Sequence, residues 1–68
     1  MTIQQRLVKL RQIYHFGYSD VEIYGGISIR RQKRIELSGA TPALKDLWQY
    51  GAAYNMQLWE IFHEVDKQ

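Results

Sequence analysis

The sequence predicts an all-α protein, a compact bundle of five short helices in one domain spanning residues 1–68. Three observations carry that expectation. Apolar residues recur three and four positions apart in the segments that begin near Thr2, Pro42 and Gln57, which is the spacing of one helix face. Residues that start or stop helices separate these segments at short intervals. The one stretch that alternates like a strand has no third strand to pair with, and a two-stranded sheet alone is marginal.

The first segment, Thr2 to about Tyr14, places Ile3, Leu7, Leu10 and Tyr14 on one stripe that Val8 and Ile13 widen, with Arg6, Lys9 and Arg11 beside it. Thr2 is placed to cap its start, and His15-Phe16-Gly17 breaks it, leaving Gly17 or Ser19 to cap the next segment. Tyr18–Ile27 admits two readings. Val21, Ile23 and Ile27 would form the buried side of a short helix ended by Gly25-Gly26. The rival is a hairpin, because apolar and polar residues alternate around the Gly-Gly pair. The helix is preferred because the hairpin would be unpartnered. A third helix covers about residues 28–37, with Ser28 as its cap.

Leu37-Ser38-Gly39-Ala40 reads as a loop, and Thr41-Pro42 as the start of a fourth helix. Pro42 at the first helical position loses nothing by lacking an N–H. Leu44, Leu47, Trp48, Gly51 and Tyr54 mark the expected inner face, and Asn55 the end. Gly51 costs roughly 1 kcal/mol of helix propensity, which implies a close contact there. A last helix from near Gln57 to about Lys67 carries Leu58, Ile61, Phe62 and Val65 on one stripe, with Trp59 off its centre. Trp48 is expected to fill the core. Trp59 and Phe62 are expected at a subunit interface, where large aromatics are over-represented.

A chain of this length buries only about 60% of the surface its unfolded state exposes. A core of this size rarely supplies more than roughly 3–5 kcal/mol unaided, so a second subunit would help. With no cysteine, disulfides, thiolate metal sites and cysteine nucleophiles are excluded. A composition of 46% apolar and 24% charged residues is that of an ordinary folded protein, not a disordered chain. No apolar run is long enough for a signal peptide core or a membrane span, so a soluble, cytoplasmic protein is expected.

Charge is uneven along the chain. Residues 1–41 hold seven cations against three anions, +4, whereas residues 42–68 hold two against four, −2. A basic front with an acidic back suits an oriented approach to a polyanion. The basic charge concentrates in Ser28-Ile-Arg-Arg-Gln-Lys-Arg-Ile-Glu36, where four of the five residues from Arg30 to Arg34 are cationic. On a helix Arg30, Lys33 and Arg34 share one face, and Ile35 turns to the other. Such a helix suits the DNA major groove, where Arg can bind guanine and Gln adenine with two hydrogen bonds. A solvated charged face is the commoner fate of a lone charge run.

The downstream half carries a more specific signal. Gly26-Ile27-Ser28, Ile35-Glu36, Pro42-Ala43-Leu44, Leu47, Ala53-Tyr54-Asn55-Met56 and Leu58-Trp59-Glu60-Ile61-Phe62 follow one another in the order and spacing of the Cro/C1-type helix-turn-helix family. The chain resembles that family, the fold of phage repressors, without gaps from about Leu10 to Phe62. The resemblance implies a lambda repressor-like helix-turn-helix domain in which Arg11 pairs with Glu36, locking the first helix to the end of the third. It places Ser28, Ile29, Arg30 and Arg34 toward base edges. It places Tyr18, Ser19, Arg31 and Lys33 at phosphates, together with the loop Ser38, Gly39 and Thr41. Four positions depart from the family pattern: Tyr18 stands where Gln is common, Glu22 where a small residue is usual, Gly25 where an apolar one is, and Gln32 where Ile or Val packs. All four lie within the helix-turn-helix itself.

Other chemistry finds little support. His15 and His63 have no third ligand at metal spacing, and Asp20 and Glu22 point apart at i, i+2. Gly25-Gly26 lacks the Gly-Lys-Ser/Thr ending of a phosphate loop. No serine has a base beside it. Neither catalysis nor a cofactor, metal or small-molecule substrate is expected. The leading expectation is a homodimeric, sequence-specific DNA-binding repressor of phage or mobile-element type, reading an inverted repeat in double-stranded DNA within a bacterial cell or phage-infected host. The alternative is a protein-binding module, an antirepressor or inhibitor, built on the same helices without DNA readout.

Overall fold

Each helix begins where a side chain or a glycine takes the backbone out of the preceding turn. In α1 (Ile3–Tyr14), Thr2 Oγ1 accepts from the Gln5 N–H at 3.1 Å, and Gln5 Oε1 accepts from the Thr2 N–H at 2.8 Å. This reciprocal pair satisfies two donors that the first turn leaves without partners. α1 ends at His15, which adopts the left-handed conformation at φ 57°. α2 (Tyr18–Gly25) starts from Gly17, whose N–H donates to Asp20 Oδ2 at 2.8 Å. α3 (Ile29–Glu36) starts from Ser28, whose Oγ accepts from the Arg31 N–H at 3.1 Å. α4 (Leu44–Tyr54) and α5 (Leu58–Ile61) complete the chain. The computed structural model describes residues 1–66, and all regular structure among them is helical.

The ambiguous stretch is therefore a helix, not a hairpin. Gly26, at φ 81°, ends it in a conformation that costs a residue with a Cβ about 1–2 kcal/mol. α2 ends at Gly25-Gly26, as expected, and Ile27 is buried in the turn beyond it. Ile23, expected inside, is 73% exposed. The inner side of α2 is instead Val21 and Gly25, one turn apart, which puts Ile23 on the opposite side. α2 lies so close to α4 that a Cβ on Gly25 would collide with the Gln49 carbonyl and press on Ala53.

α4 is the central element. Leu47, Tyr50, Gly51 and Tyr54 are buried along it at i, i+3, i+4, i+7. Leu7 and Leu10 of α1, Val21 of α2, Ile35 of α3 and Ile61 of α5 join Leu47, Tyr50 and Tyr54 in one core, with Ile27 between α2 and α3. The expected inner face began one turn too early, at Leu44. Leu44 and Trp48 both point outward, and Trp48, expected in the core, is 62% exposed. The expected contact at Gly51 is made by the returning chain, since a Cβ there would sit 2.8 Å from the Met56 carbonyl. α4 also starts later than Thr41-Pro42. Asp46 caps it from within its own first turn, its Oδ2 accepting from the Ala43 N–H at 2.7 Å.

α5 is much shorter than the helix expected from near Gln57 to about Lys67, whose far end lies outside the described residues. The cause is Arg6. Its guanidinium is buried and donates to the Ile61 carbonyl at 3.1 Å and the Glu60 carbonyl at 3.0 Å, two acceptors that a continuing helix would use itself. Beyond Ile61 the chain turns, and Asp66 meets the start of the chain: its N–H donates to the Met1 carbonyl at 2.9 Å, and its carboxylate lies 3.1 Å from the Met1 amine. No helix among the described residues is long and apolar enough to cross a membrane.

Candidate nucleic-acid interface

α3 has two faces with opposite surroundings. Its back carries Gln32 and Ile35, both fully buried. Gln32 Nε2 donates to the Tyr18 carbonyl at 2.9 Å and the Ile27 carbonyl at 3.0 Å, tying α3 to the first residue of α2 and to the turn between them. Glu36 closes the helix with a carboxylate fully screened from solvent. Its Oε1 accepts from Arg11 Nε at 2.8 Å and Nη2 at 2.7 Å, and its Oε2 accepts from the Tyr50 hydroxyl at 2.7 Å. Burial opposes the Arg11 charge, but the hydrogen bond and charge of Glu36 more than offset it and raise the Arg11 pKa above its ordinary value. Burial, reinforced by the Glu36 hydrogen bond, pushes the Tyr50 hydroxyl well above the usual phenol range.

The front of α3 exposes Arg30, Lys33 and Arg34. None of these three is in an ion pair among the described residues. Ser28 is exposed at the start of the helix, and Ile29 is partly so. Arg31, expected at a phosphate, has a different engagement. Its Nη2 donates to Asp46 Oδ2 at 2.8 Å, and its Nε lies 3.2 Å from both Asp46 oxygens, which straps α3 to the first turn of α4. The Arg31 hydrogen bond outweighs burial and holds the Asp46 carboxyl below its ordinary range. The cationic run thus supplies three outward charges and one strut.

The residues expected to flank this face gather around it in part. Tyr18 opens α2, half-buried, with the Arg11 guanidinium 4.1 Å above its ring and Lys33 Nζ 5.5 Å from it. Cations over an aromatic face attract its quadrupole. Ser19 is exposed beside it. The loop after α3 is held from behind by Gln4, whose Nε2 lies 3.2 Å from both the Gly39 and Ala40 carbonyls. Two loop donors are used internally: the Ser38 N–H faces the Lys33 carbonyl at 3.4 Å, and the Ala40 N–H faces that of Arg34 at 3.0 Å. The Gly39 and Thr41 N–H groups make no hydrogen bond among the described residues. At the other end of α3, Glu22 is exposed, and its Oε2 accepts from the Ile29 N–H at 3.3 Å.

Trp59 and Phe62 lie on the surface of α5 and the turn after it, 73% and 44% exposed. Among the described residues, no group of three or more His, Asp or Glu side chains is arranged to hold a metal ion. Sequence reasoning missed Arg6, Asp46 and Tyr50. Asp46 had a signal, since it stands three residues after Ala43 at capping distance. Tyr50 had one too, at i+3 from Leu47. Arg6 had none, because its acceptors are backbone carbonyls 54 and 55 residues away. No family model matches the chain, and no curated protein matches it.

Proposed function

We propose that the chain is a sequence-specific DNA-binding regulator of transcription, a small repressor whose α3 lies in the major groove of an inverted-repeat operator. The single observation that carries the reading is the front of α3. Three cations with no ion pair among the described residues stand on one exposed face, while two amide hydrogen bonds and the Glu36 network fix the helix from behind. A helix already fixed by the fold needs no backbone ordering to present these cations to a polyanion, and arginine at such a face can address guanine. The order of sequence elements shared with the Cro/C1 family supports the same reading. Arg30 and Arg34 act at bases, with Ser28 and Ile29 beside them. Lys33, Tyr18, Ser19 and the Gly39–Thr41 loop orient the complex on phosphates.

The protein acts as a cytoplasmic homodimer, with Trp59 and Phe62 in the contact between subunits and the two α3 helices about one DNA turn, roughly 34 Å, apart. The deciding experiment is capture and sequencing of genomic DNA by the purified chain at near-physiological salt. Enrichment of one short inverted repeat is expected. Binding that spreads over all sequences and vanishes with added salt would exclude sequence-specific regulation. A second reading is favoured by one observation, the outward placement of Trp48 and Trp59. Exposed aromatics of this size suit a protein-binding module, an antirepressor or inhibitor, and complete failure to bind DNA would select it.

A further inference from the structure

We infer that Glu22 is a specificity-determining residue, which restricts α3 to sites that present a cytosine amine in the major groove. The inference rests on the DNA-binding reading above. Glu22 belongs to α2, yet its carboxylate sits against the start of α3, 3.3 Å from the Ile29 N–H and one residue from the exposed Arg30. That single bond uses one lone pair of one oxygen. The side chain is exposed and pairs with no cation among the described residues.

An unpaired carboxylate at this place works against every phosphate that the neighbouring cations attract. Against DNA it is favourable only where its remaining oxygen meets a hydrogen-bond donor. The base edges of the major groove offer two donors, the amines of cytosine and adenine. The adenine amine lies between two acceptors, its own N7 and thymine O4. The cytosine amine has an acceptor, guanine O6, on one side only, so a carboxylate meets less repulsion there. Arg30 beside it suits that guanine, whose O6 and N7 take a guanidinium. One end of α3 thus offers an anion and a cation to the two halves of a G·C pair or to neighbouring pairs. The positive start of the helix holds the carboxylate in place.

The test is selection of bound duplexes from a random-sequence pool by the full chain and by Glu22→Gln. The amide oxygen can still accept from the Ile29 N–H, so circular dichroism should be unchanged. The wild-type motif is expected to require cytosine at one position. In Glu22→Gln that preference should fall by about tenfold or more, while binding to unrelated DNA at low salt strengthens. On the DNA side, replacing the required cytosine by 2-pyrimidinone, which lacks the amine, should weaken wild-type binding and leave Glu22→Gln unaffected. A motif unchanged in Glu22→Gln, or wild-type binding indifferent to loss of the amine, overturns this inference alone. A wild-type chain that selects no motif overturns the DNA reading and this inference with it.

Discussion

Arg11 and Arg30 carry the same guanidinium, yet one holds the fold and the other is free of it. Arg11 is largely screened from solvent and spends its donors on a carboxylate that is wholly buried and also accepts from Tyr50. Arg30 stands in solvent with no ion pair among the described residues. The difference lies in what removal leaves behind. Taking away one member of the Arg11–Glu36–Tyr50 network strands the others without partners in a low-dielectric site, whereas taking away Arg30 strands nothing. Energetic weight for folding therefore sits behind α3, and capacity for binding sits in front.

The largest effect on stability is expected at Glu36. Glu36→Ala leaves the Arg11 charge and the Tyr50 hydroxyl without their acceptor, and breaking a buried pair in this way costs about 3–5 kcal/mol. That is comparable with the whole stability of a small core. Thermal unfolding followed by circular dichroism should show a transition lowered by tens of degrees or lost, at roughly 4–8 °C per kcal/mol. A shift of only a few degrees would mean that the network is not what joins α1 to α3.

Gln32→Leu comes next. It keeps the side chain large and removes only the amide, leaving the Tyr18 and Ile27 carbonyls without the donor they share. The expected loss is about 1–3 kcal/mol in urea unfolding. If Leu is instead neutral, apolar packing alone suffices to set α2 against α3.

The Arg31–Asp46 pair ranks third, because Arg31 is one-third exposed and solvent screens part of the interaction. Asp46→Asn keeps an oxygen for the Ala43 N–H and should cost about 1 kcal/mol at neutral pH. The pH dependence identifies the charge. Arg31 holds the Asp46 pKa below its unfolded value, so the stabilisation is present above about pH 4 and is lost as pH falls through the lower folded value. Acid titration of unfolding should narrow the gap between wild type and Asp46→Asn below pH 4. A gap independent of pH would assign the loss to packing.

These residues also mark how far the sequence was legible. Local signals identified all five helices, because capping residues and helical spacing act within a few positions: Thr2, Ser28 and Asn55 sit where such residues stop or start a helix. Arg11 and Glu36 were paired through the family pattern, not through any rule of spacing. Two kinds of feature escaped. The rotation of α4 did, because Leu44, Leu47, Trp48, Gly51 and Tyr54 fit a helical stripe as well as Leu47, Tyr50, Gly51 and Tyr54 do, and only the packing of Gly25 of α2 against Gln49 and Ala53 of α4 decides between them. Contacts between distant side chains and backbone also escaped. Arg6 looks like a surface residue until the carbonyls it satisfies are brought beside it, and Gln32, at a position where an apolar residue usually packs, gives no sign in the sequence of the two carbonyls it meets.

The smallest effect on folding is expected where the charge is densest. Arg30→Ala with Arg34→Ala should change stability by no more than about 0.5 kcal/mol, because both side chains lie on the surface and neither is in an ion pair among the described residues. Removing two like charges from one face also relieves some repulsion, and alanine is the better helix former. The same double variant should lose preference for its operator. The slope of log binding constant against log salt should flatten by about 0.9 for each of the two positions that neutralises a phosphate, and not at all if both address bases. The measurement is a salt titration of operator and random duplexes by fluorescence anisotropy, beside a melting curve. Unchanged melting with lost discrimination would separate the binding face of α3 from its structural one. A large fall in melting temperature would mean that the front of the helix also supports the fold. Retained discrimination would move the recognition surface away from α3.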